Sequence, residues 1–367
     1  MSLKIAINAF FERHLSTGTG QYTSQLLSAL CAGRSGDEYT LVGGLGEGGG
    51  SNLSKLWLEQ VTAPRRAAEV GADVLHYPYF AAPLLSSVPV VVTVHDLIPM
   101  LLPAYRGSPQ VRLYTRLISV GVRRASLVIA DSESTRRDIV RRLGVAPGRV
   151  RVVLLAPSPR FSQAPGQAEL EAVRKRYALP PHFVLYVGGL DQRKNVPRLV
   201  EAFALARRKW KLPHYLVIVG GRRPANPFFP DPAETAWRQG VEDALLLPGH
   251  VPEDDLPAFY NLADAFAYPS LHEGFGLPPL EAMACGTPVV CSGASSLPEV
   301  VGDAGLLAPP TDIEAWAEAL GQILTDEPLR DELRARGRER ARRFTWQRTA
   351  EETRQVYREA ARKGHRR

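Results

Sequence analysis

The sequence predicts an α/β protein of two Rossmann-like domains, and three observations carry that prediction. Short, apolar, β-branched runs recur along the chain, most of them followed by an amphipathic stretch of helical period, as βαβ units on a parallel sheet require. The alternation stops once, in the polar segment 156–167 with Pro157, Pro159 and Pro165, and then restarts. A chain of 367 residues is also too long for one ordinary core and suits two domains of common size. The expected division is a first domain over 1–165, a second over 166–345, and a last segment, 346–367, whose helix crosses back to the first. Open α/β sheets bind ligands at the carboxyl ends of their strands, so a cleft between two facing domains is the expected workplace.

The strand-like runs of the first half are 4–9, 40–43, 74–77, 90–94, 127–130 and 152–155; those of the second are 183–187, 215–219, 245–247, 265–268, 289–291 and 306–307. Helical patterns at 22–30 and 196–209 follow two of these strands, and after Thr311 the chain reads as helix, punctuated by Phe344-Thr345-Trp346 before a final helix over 347–362. Residues 43–50, Gly-Gly-Leu-Gly-Glu-Gly-Gly-Gly, read as a flexible loop; no Gly-Lys-Ser/Thr follows, so they are not a phosphate loop.

Composition narrows the class. No run approaches the roughly 18 apolar residues needed to span a bilayer, and Lys4-Ile5-Ala6-Ile7-Asn8 enters a strand at once, so an unsecreted cytoplasmic protein is expected. Cys31, Cys285 and Cys291 form no even framework and read as reduced packing residues. The formal charge of +7 lies wholly in the first half, where residues 1–165 hold 18 Lys and Arg against 11 Asp and Glu. Arg112, Arg116, Arg123 and Arg124 share a probable helix with Val111, Leu113, Leu117, Ile118 and Val120, and Arg136, Arg137, Arg141 and Arg142 follow. Such a face suits reversible contact with anionic headgroups at the inner face of a plasma membrane, or is simply a solvated arginine-rich surface.

Five segments carry chemistry. Tyr268-Pro269-Ser270-Leu271-His272-Glu273-Gly274-Phe275-Gly276-Leu277-Pro278-Pro279-Leu280-Glu281 places two carboxylates eight residues apart around a glycine-rich helix start, with Glu281 expected in the first helical turn. Prolines tolerate the first helical positions, and the orphan amides and positive dipole end attract an anion. Gly188-Gly189-Leu190-Asp191-Gln192-Arg193-Lys194-Asn195 closes a buried strand with two cations, fitting a diphosphate and the charge it develops as a leaving group, or else a basic cap loop. His95-Asp96 ends a first-domain strand, where His95 suits a sugar hydroxyl or a proton, or is a satisfied strand-end histidine. His76 lacks an acidic neighbour and is weaker. Gly18-Thr19-Gly20 reads as a turn before a helix, able to bring amides against phosphate; it lacks the third glycine of a dinucleotide fingerprint. Gly249-His250-Val251 follows a strand, and the backbone of Val251 could read a base edge, while Asp254-Asp255 reads as a helix start. With no HExxH, DxD or His/Cys cluster in the sequence, no metal site is expected.

Glu273 and Glu281 form an E-x7-E motif, and with Gly18-Thr19-Gly20, His95-Asp96-Leu97, Arg193-Lys194-Asn195 and Ala282-Met283-Ala284-Cys285-Gly286-Thr287-Pro288 the chain resembles a family 4 retaining glycosyltransferase of GT-B fold. The resemblance implies a donor held by the second domain: Glu281 on the ribose, Glu273 on the sugar, the amides of Gly274, Phe275, Gly276 and Leu277 on sugar and phosphate, Gly189 close to the diphosphate, and Arg193 with Lys194 on its charge. His95 would meet the sugar from the first domain. Many relatives carry arginine where Gly189 stands. The resemblance further implies transfer without a metal or cofactor, with the anomeric configuration kept. The run His95-Asp96-Leu97-Ile98-Pro99 and residues 297–305 look most like bacterial mannosyltransferases of polysaccharide synthesis, which points to a GDP- or UDP-linked hexose, mannose first, and a lipid-linked or oligosaccharide acceptor rather than nucleic acid. A sugar-nucleotide epimerase of similar fold and a non-catalytic sugar-nucleotide-binding subunit are the alternatives. Acceptor contacts are expected in the loops 43–52 and 101–108.

Overall fold

The structure is a computed structural model, and it describes residues 2–12, 17–33, 36–43, 52–221 and 226–364. Residues 44–51, most of the predicted glycine-rich loop, lie outside the described residues. Contacts divide the chain into two units, Met1–Leu155 with Thr345–Arg367, and Ala156–Phe344.

The first unit holds strands β1 (Lys4–Asn8), β2 (Glu38–Val42), β3 (Val74–Tyr77), β4 (Val90–Val94), β5 (Leu127–Ala130) and β6 (Val150–Val152). The second holds β7 (Phe183–Val187), β8 (Tyr215–Val219), β9 (Leu245–Gly249), β10 (Ala265–Tyr268), β11 (Val289–Ser292) and β12 (Leu306–Ala308). Each set forms one six-stranded sheet, in the orders β2-β1-β3-β4-β5-β6 and β12-β11-β10-β7-β8-β9. All pairings are parallel. Helices cover both faces, which is why β3, β4, β5, β10 and β11 are buried at every position and read as largely apolar runs. The strand order reverses between β1 and β3 in one sheet and between β7 and β10 in the other. At such reversals successive crossovers leave in opposite directions and open a crevice at the carboxyl edge.

The division between the units falls ten residues earlier than the expected 165, because 156–165 packs on the second unit. Phe161 sets its ring edge-on to Tyr260 at 5.7 Å, and its carbonyl accepts from the Cys285 thiol at 3.3 Å. The expected turn at Gly18-Thr19-Gly20 is instead the first turn of the helix Gly18–Ala32. Thr17 caps that helix by accepting from the Gly20 amide at 3.1 Å, so helix begins before the apolar period does.

The last helix, Trp346–Gly364, belongs to the first unit. Thr349 donates to the Leu154 carbonyl at 2.7 Å and the Arg354 guanidinium to the Leu30 carbonyl at 2.9 Å. Tyr357 shares a hydrogen bond with Nδ1 of the buried His76 at 2.7 Å, while His76 Nε2 meets Thr93 at 2.9 Å. Burial pushes His76 down to about 3, so it is a neutral core residue. Replacing Tyr357 by Phe strands that imidazole nitrogen and should lower stability by about 1–3 kcal/mol in urea melts of the full chain; an unchanged midpoint would show that the contact holds nothing.

Candidate active site

The crevice of the second sheet is built from the loops after β7 and β10. After β7 the chain makes a short turn, Gln192–Lys194, and Asn195 enters the left-handed region at φ 59°, which its short polar side chain tolerates. Asn195 Nδ2 then donates to the carbonyls of Pro269 (3.2 Å) and Pro310 (2.7 Å), and the Leu271 amide donates to the Arg193 carbonyl at 2.8 Å. These bonds stitch the two loops together before any ligand arrives.

Stitching brings Glu273 onto the two cations. Its Oε1 lies 2.7 Å from both Arg193 Nη1 and Lys194 Nζ, accepts from Ser270 at 2.6 Å and meets the Tyr268 hydroxyl at 3.1 Å. Burial raises the cost of that charge, but Lys194 and Arg193 outweigh it and hold the carboxyl down at about 2. Arg193 is tied further by donation to the His272 carbonyl at 2.9 Å and by Asp191 at 3.6 Å. Lys194 has three donors, and among the described residues Tyr268 and Glu273 take two of them.

Two serines after β11 carry the other side of the loop. Ser295, itself at φ 54°, accepts from the Glu273 amide at 2.8 Å, and Ser296 donates to the carbonyls of Glu273 (2.9 Å) and Phe275 (2.6 Å). Gly276 sits at φ 120° just before the helix Leu277–Cys285, and a Cβ there would meet Leu297 at 2.7 Å, so only glycine makes this entry. Phe275 is buried edge-on to Phe344 at 6.0 Å. Glu281 is not in the first turn of this helix as expected: it is the fifth helical residue, because Leu277 opens the helix. It accepts from Tyr260 at 3.1 Å, and burial pushes its carboxyl up to about 7. One site therefore contains a carboxylate that is always ionised and one poised near neutrality.

In the first unit His95 follows β4, and its partner is Asp131, not the adjacent Asp96. Nδ1 lies 2.7 Å from Asp131 Oδ2, Nε2 lies 3.2 Å from the Pro78 carbonyl, and Asp96 caps the Ile98 amide at 3.0 Å. Burial disfavours the imidazolium, but Asp131 outweighs it and lifts His95 above its ordinary range. The β1–β3 crevice has its own cluster. Phe10 and Phe11 follow β1, Tyr79 follows β3, and with Tyr114 their rings surround the Lys55 ammonium at 5.0–5.5 Å. Glu59, fully buried, lies 3.7 Å from that ammonium and accepts from Tyr79 at 3.0 Å and Tyr114 at 2.8 Å.

Residues 171–340 match the family described as Glycosyl transferases group 1, and residues 27–155 match Glycosyltransferase Family 4. The chain is 35% identical over 299 residues to the O-antigen chain mannosyltransferase B of Escherichia coli, covering 80% of this chain and 77% of that one. The chain belongs to the glycosyltransferase family. It is 32% identical over 267 residues to the serotype-specific mannosyltransferase WbdA of Escherichia coli, which takes in 71% of this chain but only 32% of that longer relative. Among solved structures, sucrose-phosphate synthase from Thermosynechococcus elongatus superposes with a TM-score of 0.72 at 23% identity, over 97% of this chain and 98% of that one. Anabaena HepE in complex with UDP superposes at 0.71 and 17% identity, over 97% and 99% of the two chains. The fold of this glycosyltransferase is thus GT-B, with two Rossmann-like sheets and a last helix returned to the first.

Within the second unit of the glycosyltransferase, Arg193, Lys194, Glu273 and the helix entry at Gly274 to Leu277 converge, with Glu281 one turn further along. Gly189 lies exposed in the loop after β7, its carbonyl accepting from Tyr186 at 2.6 Å. Val251 is buried, and Gly249, whose carbonyl accepts from the Gly220 amide at 3.0 Å, leaves β9 at φ 82°. Asp254 and Asp255 lead into the helix Leu256–Leu262 as expected, with Asp255 at the N-cap, but their side chains make no cap bond and pair instead with Arg160 at 2.9 Å and Arg176 at 2.8 Å. Cys285 and Cys291 are buried, but Cys31 is exposed rather than packed. Tyr260, Tyr268, Ser270, Ser295 and Ser296 escaped sequence reasoning, because a serine or a buried tyrosine carries no periodic signal. Asp131 directly follows β5, and its place at a strand's carboxyl end is the available clue.

Changing Glu273 to Gln leaves two cations without their carboxylate and should cost about 3 kcal/mol near neutral pH. The folded pKa of Glu273 lies below its unfolded value. Its contribution is therefore present above about pH 4.5 and lost as pH falls towards 2, so the gap between variant and wild type should close on acidification. Urea melts at a series of pH values measure this, and a constant gap would contradict the ion cluster. Glu281 has the opposite sign: its folded pKa lies above its unfolded value, so the stability it contributes when protonated is present below about pH 4.5 and lost as pH rises to about 7. Glu281→Gln should therefore be more stable than wild type at pH 8, by roughly 1–3 kcal/mol, and equal to it below pH 4. A destabilised variant at pH 8 would refute the assignment.

Proposed function

We propose that this glycosyltransferase moves a hexose from a nucleoside diphosphate donor to a saccharide or lipid-linked acceptor, with GDP-mannose the favoured donor and retention at the anomeric carbon. The observation that carries the reading is the Arg193–Lys194–Glu273 cluster set at the amino end of the helix Leu277–Cys285, with Glu281 beyond it. A diphosphate lying over that helix entry would take amide donors from the backbone and charge from Lys194 and Arg193. Glu273, kept ionised, can accept from sugar hydroxyls, and Glu281 from a ribose diol.

In the transfer the bond from C1 to the phosphate oxygen breaks and a bond from C1 to the acceptor oxygen forms. The acceptor's proton passes to the departing phosphate oxygen on the same face. Arg193 and Lys194 stabilise the charge that develops on the diphosphate, so the reaction we propose needs no metal. His95, held by Asp131, serves as a first-unit polar contact for substrate. The aromatic cluster around Lys55, at the other carboxyl-edge crevice, suits an acceptor sugar or its phosphate. The mannosyl preference rests on the O-antigen and WbdA relatives, and the preference for GDP accompanies it.

The arginine-bearing helix Pro109–Arg124 exposes Val111, Leu113 and Val120 beside Arg112, Arg116, Arg123 and Arg124, which suits transient contact with anionic lipid at the inner membrane face. No described helix is long and apolar enough to cross a membrane.

Calorimetric titration with GDP, UDP and ADP, followed by transfer from the matching sugar nucleotides in the presence of a chelator, tests the proposal. GDP should bind tightest, Lys194→Ala should lower transfer by about 10²-fold or more, and NMR of the product should show the donor's anomeric configuration. Equal binding of the three nucleotides would remove the GDP assignment. An inverted product would remove retention, and unchanged transfer by Lys194→Ala would remove the site.

A further inference from the structure

Sheet β10-β7-β8 has a second cluster at its amino edge, away from the donor loops. His182, His214 and Asp264 immediately precede β7, β8 and β10, three neighbouring strands whose register aligns Phe183 with Tyr215 and Ala265 with Val184. Backbone bonds lock this edge: the Tyr215 amide donates to the His182 carbonyl and the Asp264 amide to the Phe183 carbonyl, both at 3.0 Å. Asp264 Oδ2 in turn accepts from the Phe183 amide at 3.0 Å, which fixes the carboxylate's direction.

The three side chains are held close, at separations longer than a charge-assisted hydrogen bond. His182 Nδ1 lies 3.3 Å and His214 Nε2 lies 3.6 Å from Asp264 Oδ2, and one ligand atom from each residue falls within 4.8 Å of the others. A tetrahedron with metal bonds of about 2.0–2.1 Å has edges of about 3.4 Å, so both contacts match ligand–ligand edges. His214 supplies the second observation. It is 6% exposed, yet its imidazole makes no hydrogen bond among the described residues, and Nδ1 is fully enclosed without a partner. Nε2, the ring nitrogen nearest Asp264, is the one turned to the cluster and available to an ion.

We propose that His182, His214 and Asp264 bind one transition-metal dication of the zinc class, with water completing four-coordination. Two imidazoles and one carboxylate suit zinc and its neighbours rather than magnesium or calcium, which prefer all-oxygen sites. The metal is a staple across three strands, not part of the transfer chemistry. The five residues of β7 place it about 16 Å from the donor loop. It stabilises the folded state in proportion to its occupancy.

The test uses the full chain carrying Cys31→Ser, which removes the exposed thiol, dialysed against zinc and then challenged with a chromophoric chelator. One zinc per chain should survive, the melting midpoint should rise with added zinc, and cobalt in its place should give the intense visible absorption of a four-coordinate ion. His182→Ala, an exposed position that leaves folding intact, should lose both the retained zinc and the melting shift. His182→Cys should restore them, while donor binding and transfer stay unchanged in all variants. Retention of no zinc by the parent chain, equal retention by His182→Ala, or a weak six-coordinate cobalt spectrum would overturn the site and leave the donor assignment untouched.

Discussion

The Glu273 carboxylate, buried between Arg193 and Lys194, is the contact on which the second unit's carboxyl edge depends. One oxygen satisfies two cations, a serine and a tyrosine, and these come from the loops after β7 and β10 that flank the reversal of strand order. Without the carboxylate two neighbouring charges with 12% exposed side chains would be left unpaired on the loop after β7. The cluster therefore closes the two loops and holds both cations oriented at the carboxyl edge of the sheet.

Around that contact, polar side chains do what apolar packing cannot. Ser295 and Ser296 fix the backbone of 273–275, Asn195 clamps two proline carbonyls, and Gly276 takes a conformation closed to other residues. The helix entry is thus preformed, which spares ligand binding the entropy of ordering a loop. Glu281 lies on the helix that follows with the opposite electrostatic character, because its desolvation exceeds what the Tyr260 hydrogen bond and the charge of Arg160 offset. Two carboxylates on one loop-helix unit acquire pKa values on either side of the ordinary one through their neighbours alone.

The first unit shows the same logic at a smaller scale. Its polar interior, Tyr357–His76–Thr93–Tyr22, runs from the returned last helix through the sheet to the ring beside His95 at 4.7 Å. The returned helix thereby completes the core beneath the strand-end histidine rather than merely capping the chain.

Sequence alone was enough for the alternation of strands and helices, the polar break within 156–167, the helix entry after Gly276 and the placing of Glu273, Arg193 and Lys194 just past strand ends. Each of these leaves a local trace: a period, a proline, a glycine pair or a charge beside a strand end. Partnerships leave none. That His95 belongs to Asp131 and not Asp96, that Glu281 falls in the second helical turn against Tyr260, and that His182, His214 and Asp264 meet at one edge follow from strand order. Residues 32 and 50 positions apart become neighbours only when β8 and β10 flank β7, and no spacing rule along the chain encodes that adjacency.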